Sequence, residues 1–242
     1  MGDTSRHTLV LFPGAWGNKN DTLVRWWFRY VIANFKGWNI VALTYSGNTL
    51  NDYVDACILQ LKNIEGGNYA VCYSMGAQVA RGVAQHRPEL FKKVVLISGM
   101  ERHGARVKTF LNALKIAFLP LIRCLVGKPL ELNSVEQVKR VFISGGKPEE
   151  QEKRAISIME HMVPEPSGAA IRLCLPGMRQ RMTPFPCPVM AIVPHDDFFF
   201  PQGATYPDEN VQKVSATGGH AFIVDDLRLT QHLPRVIHWL TH

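Results

Sequence analysis

At 242 residues, 46% of them hydrophobic and 19% charged, the chain carries enough apolar material for a substantial core and falls outside the disordered class. Its net charge is +7 (27 Lys and Arg less 20 Asp and Glu), yet the basic residues read as scattered and not interleaved with aromatics, which argues against nucleic-acid binding. Such a surface suits anionic substrates or anionic membranes, and more often only sets solubility.

The chain opens on a polar stretch, Met1–Arg6, without the basic-then-apolar pattern of a signal peptide. Arg6 stands where a myristoylation motif needs Ser or Thr. A cytoplasmic location is therefore expected. Thr8–Phe12 is a short apolar run closed by Pro13-Gly14, as in a buried strand. Asp21 is placed to cap an amphipathic helix over Thr22–Phe35. A strand is expected at Asn39–Tyr45 and a helix at Leu50–Asn63, stopped by Gly66-Gly67. Tyr69–Tyr73 reads as a strand, Met75–His86 as a helix ending before Pro88, and Val94–Ser98 as a strand stopped by Gly99. Strands separated by helices of this length predict an α/β fold, with a doubly wound, mostly parallel sheet and helices on both faces.

From Met100 to Met182 the alternation breaks. Helical patterns appear at Val107–Cys124, Ser134–Phe142 and Glu149–Met162, separated by Pro and Gly, and no clear strand is visible. The most apolar stretch, Phe110–Val126, is interrupted by Asn112, Lys115, Pro120 and Arg123 and falls short of the roughly 18 residues a membrane span needs. No stable membrane insertion is expected. Residues 100–183 read as a helical cap inserted in a core formed by 1–99 and 184–242, lying over the strand ends where open α/β sheets bind ligands. An inward apolar face built from Phe110, Leu111, Leu114, Ile116, Phe118 and Leu119 would then meet the substrate. Strands resume at Val189–Val193 and Val211–Val214, and a helix over Leu227–Leu240 closes the chain.

Three segments carry the chemistry. In Tyr69-Ala-Val-Cys-Tyr-Ser74-Met-Gly76-Ala a serine stands between a strand and a helix, with Gly two residues on. A tight turn there projects the hydroxyl above the sheet edge, and small neighbours let helix and strand approach. Cys72 occupies a position where such turns commonly carry Gly. The second segment, Val193-Pro-His-Asp-Asp197-Phe-Phe-Phe-Pro201, follows a strand. In the third, Gly218-Gly219-His220 lies between the last strand and the last helix. A serine hydroxyl is a poor nucleophile until an imidazole takes its proton, and a carboxylate fixes that imidazole's tautomer.

With the order Ser74, Asp197, His220 in place, the chain resembles the α/β-hydrolase superfamily, in its compact form with a helical lid. The resemblance covers residues 8–99 and 184–240. Family members often have two more strands before the first loop, but only about seven residues precede the strand at Thr8, so about six strands are expected instead of eight. It implies Ser74 as nucleophile, His220 as general base and Asp197 as the orienting acid. An acid loop of the form Gly-x-x-Asp-x-x-x-Pro selects Asp197 over Asp196, with Pro194 in place of Gly and Pro201 matching. The resemblance also implies oxyanion donors at the backbone N–H groups of Ala15 and Met75, although Pro13 stands where the family's first loop usually has His. Glu101 remains an alternative acid. Trp16 and Phe198, with Phe199 and Phe200 beside them, are candidates to line an apolar substrate pocket.

The activity so implied is hydrolysis of a carboxylic ester or thioester with an apolar acyl part, a small-molecule substrate. Carbon–carbon bond hydrolysis, lyase chemistry and cofactor-free peroxidation run on the same fold, and a binding protein or receptor with little turnover would share its pocket. No cofactor and no metal are expected: His103, His161, His232 and His238 share no ligand spacing, and no phosphate-binding glycine motif is present. Cys57, Cys72, Cys124, Cys174 and Cys187 are odd in number and widely spaced, as buried free thiols are. Oligomeric state is not legible.

Overall fold

The computed structural model describes residues 7–101, 107–174, 182–199 and 210–242. β1 (Thr8–Phe12) ends where Pro13 removes the N–H that a longer ladder needs. The helix expected to follow as one piece is two, α1 (Asp21–Trp27) and α2 (Arg29–Asn34), interrupted at Phe28 with φ −100° and ψ 12°. Trp27 and Phe28 are both buried. Consecutive residues of a straight helix point about 100° apart, so the break lets both rings enter the core. The cap also differs from expectation. Asn20 accepts from the Leu23 N–H at 2.9 Å, while Asp21 sits in the first turn and pairs with Arg25 at 2.7 Å.

β2 (Asn39–Ala42) stops short of Tyr45, and α3 (Leu50–Gln60) starts from a capping box formed by Thr49 and Asp52. β3 (Asn68–Tyr73) is buried along its whole length, as a central parallel strand covered on both faces must be. It leads through Ser74 into α4 (Gly76–His86), and β4 (Phe91–Ile97) follows. Among the described residues four helices then intervene: α5 (Val107–Leu125), α6 (Val135–Phe142), α7 (Pro148–Met159) and α8 (Ser167–Cys174), the last of which the sequence pattern did not suggest. A two-residue antiparallel bridge joins Leu130 to Glu165 within this segment. β5 (Val189–Pro194), β6 (Val211–Ala216), a 3₁₀ turn at His220–Val224 and α9 (Asp226–Thr241) complete the described chain.

The six strands form one sheet in the order β2-β1-β3-β4-β5-β6, parallel throughout. The chain runs outward from β1 to β2, then crosses back to β3 on the other side of β1. This reversal makes the β1/β3 boundary the topological switch point, where strand-following loops separate and leave a crevice at the carboxyl edge. Phe12 pairs with Cys72 in register, so Pro13-Gly14 and Tyr73-Ser74 leave the sheet side by side.

The face of α5 requires a correction. Leu121 and Cys124 are buried and Leu114 packs partly against the core, but Leu111, Phe118 and Leu119 are exposed. The apolar positions expected to face inward together therefore lie on two different sides of the helix. The side chains of Phe110 and Ile116 lie outside the described residues.

Candidate active site

Ser74 leaves β3 in the left-handed region, at φ 50°, a conformation that costs a non-glycine residue about 1–2 kcal/mol. Neighbouring backbone holds it there. The Ser74 N–H donates to the Ile97 carbonyl at 3.2 Å, and the Ser74 carbonyl accepts from the Met100 N–H at 3.0 Å. Gly76 makes the turn sterically feasible, because a Cβ at this position would lie 2.2 Å from the Phe12 carbonyl oxygen. Helix α4 thus starts directly against the end of β1.

The acid and imidazole loops are tied together at the ends of β5 and β6. The His195 N–H donates to the Ala216 carbonyl at 2.9 Å, and the Asp196 N–H to Gly218 at 3.1 Å. This ladder leaves His195 and Asp196 exposed and turns Asp197 inward, fully buried. Asp197 Oδ2 lies 2.9 Å from His220 Nδ1, and Oδ1 lies 3.1 Å from the same nitrogen. Oδ1 also accepts the Phe199 N–H at 2.9 Å, which fixes the carboxylate plane. Across the ring, His220 Nε2 is 2.9 Å from Ser74 Oγ. An ionised carboxylate can only accept, so Nδ1 carries the proton of a neutral imidazole and Nε2 is left to accept from the serine hydroxyl. His220 itself is held by its backbone carbonyl, which accepts from the Tyr73 hydroxyl at 3.1 Å. Burial and the nearby Asp197 carboxylate push the Tyr73 phenol well above its ordinary pKa, so it remains a donor.

Aromatic rings surround the imidazole. Phe199 meets it edge-on at 4.7 Å, and Phe142, from α6, lies 5.7 Å away. Trp16 stacks on Phe199 at 6.3 Å and meets Phe142 edge-on at 5.7 Å. Phe199 thus bridges Trp16 and His220, with Phe198 packed edge-on against it at 5.5 Å. Phe200 and Pro201 lie outside the described residues.

The loop after β1 is pinned from the helical segment. Trp16 has φ 66°, and its N–H donates to Glu165 Oε2 at 2.9 Å. Its carbonyl accepts from the Val163 N–H at 2.8 Å, and its indole N–H donates to the Leu130 carbonyl at 3.1 Å. The fully buried Glu165 also accepts from Asn18 Nδ2 at 3.0 Å and from the Tyr53 hydroxyl at 2.7 Å. Burial raises the Glu165 pKa, against the opposing pull of these three donors. Among the described residues no hydrogen-bond partner occupies the N–H of Ala15 or of Met75, the two groups expected to face an oxyanion.

Both departures from the usual motifs are accommodated. The Pro13 carbonyl accepts from the Tyr45 hydroxyl at 3.0 Å, which fixes the loop without a histidine. Cys72 is buried inside β3, and desolvation holds its thiol well above the ordinary pKa. Glu101 is also buried, and its backbone carbonyl accepts from the Gln78 amide, while the carboxylate against His220 is that of Asp197. Glu165, Asn18 and Tyr53 escaped the sequence reading because their partners lie far away in the chain. The one local signal is Pro164-Glu-Pro166, in which flanking prolines hold an extended backbone around a single carboxylate. Among the described residues no group of His, Cys, Asp and Glu is arranged to hold a metal ion.

This topology recurs in solved structures. An extracellular alpha/beta-hydrolase from a Paenibacillus species superposes with a TM-score of 0.70 at 15% identity, covering 94% of this chain and 97% of that one. The chain has the α/β-hydrolase fold. A pyrethroid hydrolase from Sphingobium faniae matches with a TM-score of 0.65 at 14% identity, over 98% of both chains. A putative non-heme bromoperoxidase from Mycobacterium tuberculosis matches with a TM-score of 0.68 at 16% identity, over 98% of this α/β-hydrolase-fold chain and 93% of that one. No family model matches the sequence, and no curated protein matches it.

Proposed function

We propose that the protein is a serine hydrolase that cleaves a carboxylic ester or thioester with an apolar acyl part. The observation that carries this reading is the pair of 2.9 Å hydrogen bonds linking Ser74, His220 and Asp197 across three strand-end loops. In the proposed reaction Ser74 Oγ attacks the acyl carbon as His220 Nε2 takes its proton. Asp197 stabilises the resulting imidazolium without accepting the proton itself. The N–H groups of Ala15 and Met75 hold the oxyanion, each worth about 3 kcal/mol where such donors are preorganised. His220 then protonates the departing alkoxide or thiolate. In the second half it takes a proton from water, which releases the acid and restores Ser74.

The apolar acyl preference rests on the rings of Trp16, Phe142 and Phe199 beside His220. In this reading α5–α8 act as a cap over the core, supplying Phe142 to the pocket wall and Glu165 to the loop that bears Ala15. Among the structural neighbours of the same fold are a pyrethroid hydrolase and carboxylesterases described for Nitrososphaera, which supports a hydrolase and, from the latter, an ester substrate. The test is a panel of esters and thioesters of graded chain length, run beside fluorophosphonate labelling of the wild type and Ser74→Ala. Hydrolysis and stoichiometric labelling, both lost in Ser74→Ala, are expected. A protein that neither labels nor turns over any member of the panel would instead be a binding protein on a hydrolase fold.

A further inference from the structure

Large apolar side chains exposed to water are concentrated in one place. Of those among the described residues, only Leu59 and Ile156 lie elsewhere, while Leu111, Phe118, Leu119, Ile122, Leu125 and Val126, each 42–73% exposed, lie on or just beyond α5. At about 100° per residue, these positions fall within one stripe of the helix. The opposite side carries Leu121 and Cys124, buried where α5 packs against α6 and α8. Scattered exposed apolar residues need no explanation, but a contiguous stripe marks a surface that is covered in use.

The charge around the stripe says by what. Between residues 102 and 130 the sequence has Arg102, Arg106, Lys108, Lys115, Arg123 and Lys128 and no Asp or Glu, so the basic residues, scattered along the rest of the chain, are concentrated in this stretch. Lys115 sits within the stripe, Arg123 at its rim and Lys128 beyond its end, all three exposed. A second copy of the chain would bring this cationic helix against another of the same sign. Anionic headgroups complement it, and the lysine stems can lie along acyl chains with the ammonium at headgroup level. Among the described residues no helix is long and apolar enough to cross a membrane, which fits a helix that lies in the interface plane.

We infer that the outward face of α5 is a peripheral membrane-docking surface for anionic lipid bilayers. Leu119, Ile122 and Leu125 enter the headgroup–acyl boundary, and Lys115, Arg123 and Lys128 engage lipid phosphate and carboxylate groups. The inference stands independently of the hydrolase reading, since it uses none of the residues around Ser74.

The test is co-sedimentation of the full chain with vesicles of phosphatidylcholine alone or mixed with phosphatidylserine. Retention on the mixed vesicles that weakens with salt is expected, with little on phosphatidylcholine alone. Leu119→Ser/Ile122→Ser should lower the partition coefficient at least about tenfold at an unchanged melting temperature, because both side chains already face solvent. Lys115→Gln/Arg123→Gln/Lys128→Gln should lower it about fivefold per charge at low salt. Ser74→Ala should bind as the wild type does, which separates this result from any failure of the catalytic reading. Absence of the wild type from the anionic vesicles would overturn the proposal, as would binding that neither variant weakens. A concentration-dependent dimer abolished by Leu119→Ser/Ile122→Ser would likewise assign the stripe to a second copy and overturn it.

Discussion

Glu165 Oε2 accepts the N–H of Trp16 at 2.9 Å, so a carboxylate from the segment between β4 and β5 fixes the residue directly after Ala15. The two residues are 149 positions apart, and both are buried. In the proposed reaction, the aim of the Ala15 N–H at the oxyanion would thus depend on a contact that the local sequence of the loop does not contain.

This relationship predicts a split between two variants. Glu165→Ala leaves the donors on Trp16, Asn18 and Tyr53 without their acceptor, at a cost of about 2–4 kcal/mol in stability. If the Ala15 N–H loses its aim as well, kcat falls by up to about 10², the magnitude seen when one oxyanion donor is removed. Glu165→Gln keeps an oxygen for Trp16 and Asn18, and the Tyr53 hydroxyl can rotate to accept from the new amide. It should restore most of kcat. Thermal melting and steady-state kinetics on the best ester of the panel check both variants.

A pH dependence follows from the same carboxyl. Its pKa is raised in the folded chain, so the native state retains a proton at pH values where the unfolded chain has released it. The corresponding stability is fully present below the ordinary glutamate value and declines as pH rises through the raised folded value. Chemical denaturation across that window should show the decline in the wild type and a flatter profile in Glu165→Gln.

Asp197→Asn should reduce kcat by about 10⁴, since the amide can present an N–H to His220 Nδ1 and favour the wrong tautomer. Asp196→Asn should leave kcat within about threefold, because Asp196 is exposed and its ladder bond runs through the backbone. Kinetics of these two variants beside Glu101→Gln check the acid. Heavy loss in Glu101→Gln with a mild effect in Asp197→Asn would transfer the role.

The parallel frame was legible because each strand is a short apolar run bounded by Gly or Pro, and because parallel strands need intervening helices. The loops bearing Ser74, Asp197 and His220 were legible for a related reason: each follows directly from a strand end, so its place above the sheet is a local property. What the pattern could not carry is pairwise. The break at Phe28 comes from two adjacent rings competing for one core, and helical periodicity alone sees only a continuous stripe. On α5 the apolar residues go nearly all the way round, which leaves no polar face to tell the inward side from the outward one. Glu165 is the extreme case, a single carboxylate between two prolines whose three donors come from two distant segments, the loop after β1 and helix α3.

Gly76→Ala should be among the most damaging small substitutions in the chain. The added methyl would meet the Phe12 and Pro13 carbonyl oxygens at 2.2 and 2.7 Å, and backbone cannot swing aside as a side-chain tip does. Overpacking of this kind costs about 3 kcal/mol or more. Because the displaced groups are the end of β1 and the start of α4, fluorophosphonate labelling should slow as well. Gly67→Ala is the control: its surroundings are open, so its cost is confined to backbone strain at φ 83° and labelling should be unchanged.

Cys72 supplies the last test, because the common motif has Gly in its place. Cys72→Gly removes a buried side chain from a central strand and frees the backbone of the unfolded state, so it should destabilise the protein by about 1–3 kcal/mol. No gain in kcat is expected, since Ser74 already holds φ 50° with Cys72 two residues before it. The native thiol should also be inert. Burial holds Cys57 and Cys72 well above the ordinary thiol pKa, whereas partly exposed Cys187 rises only to about 11. Iodoacetamide should therefore modify Cys187 well before Cys57 or Cys72, with hydrolytic activity persisting after Cys187 has reacted. Rapid alkylation of Cys72 in the folded protein, or inactivation that tracks it, would mean that β3 opens near the turn and that the position is part of the chemistry rather than its support.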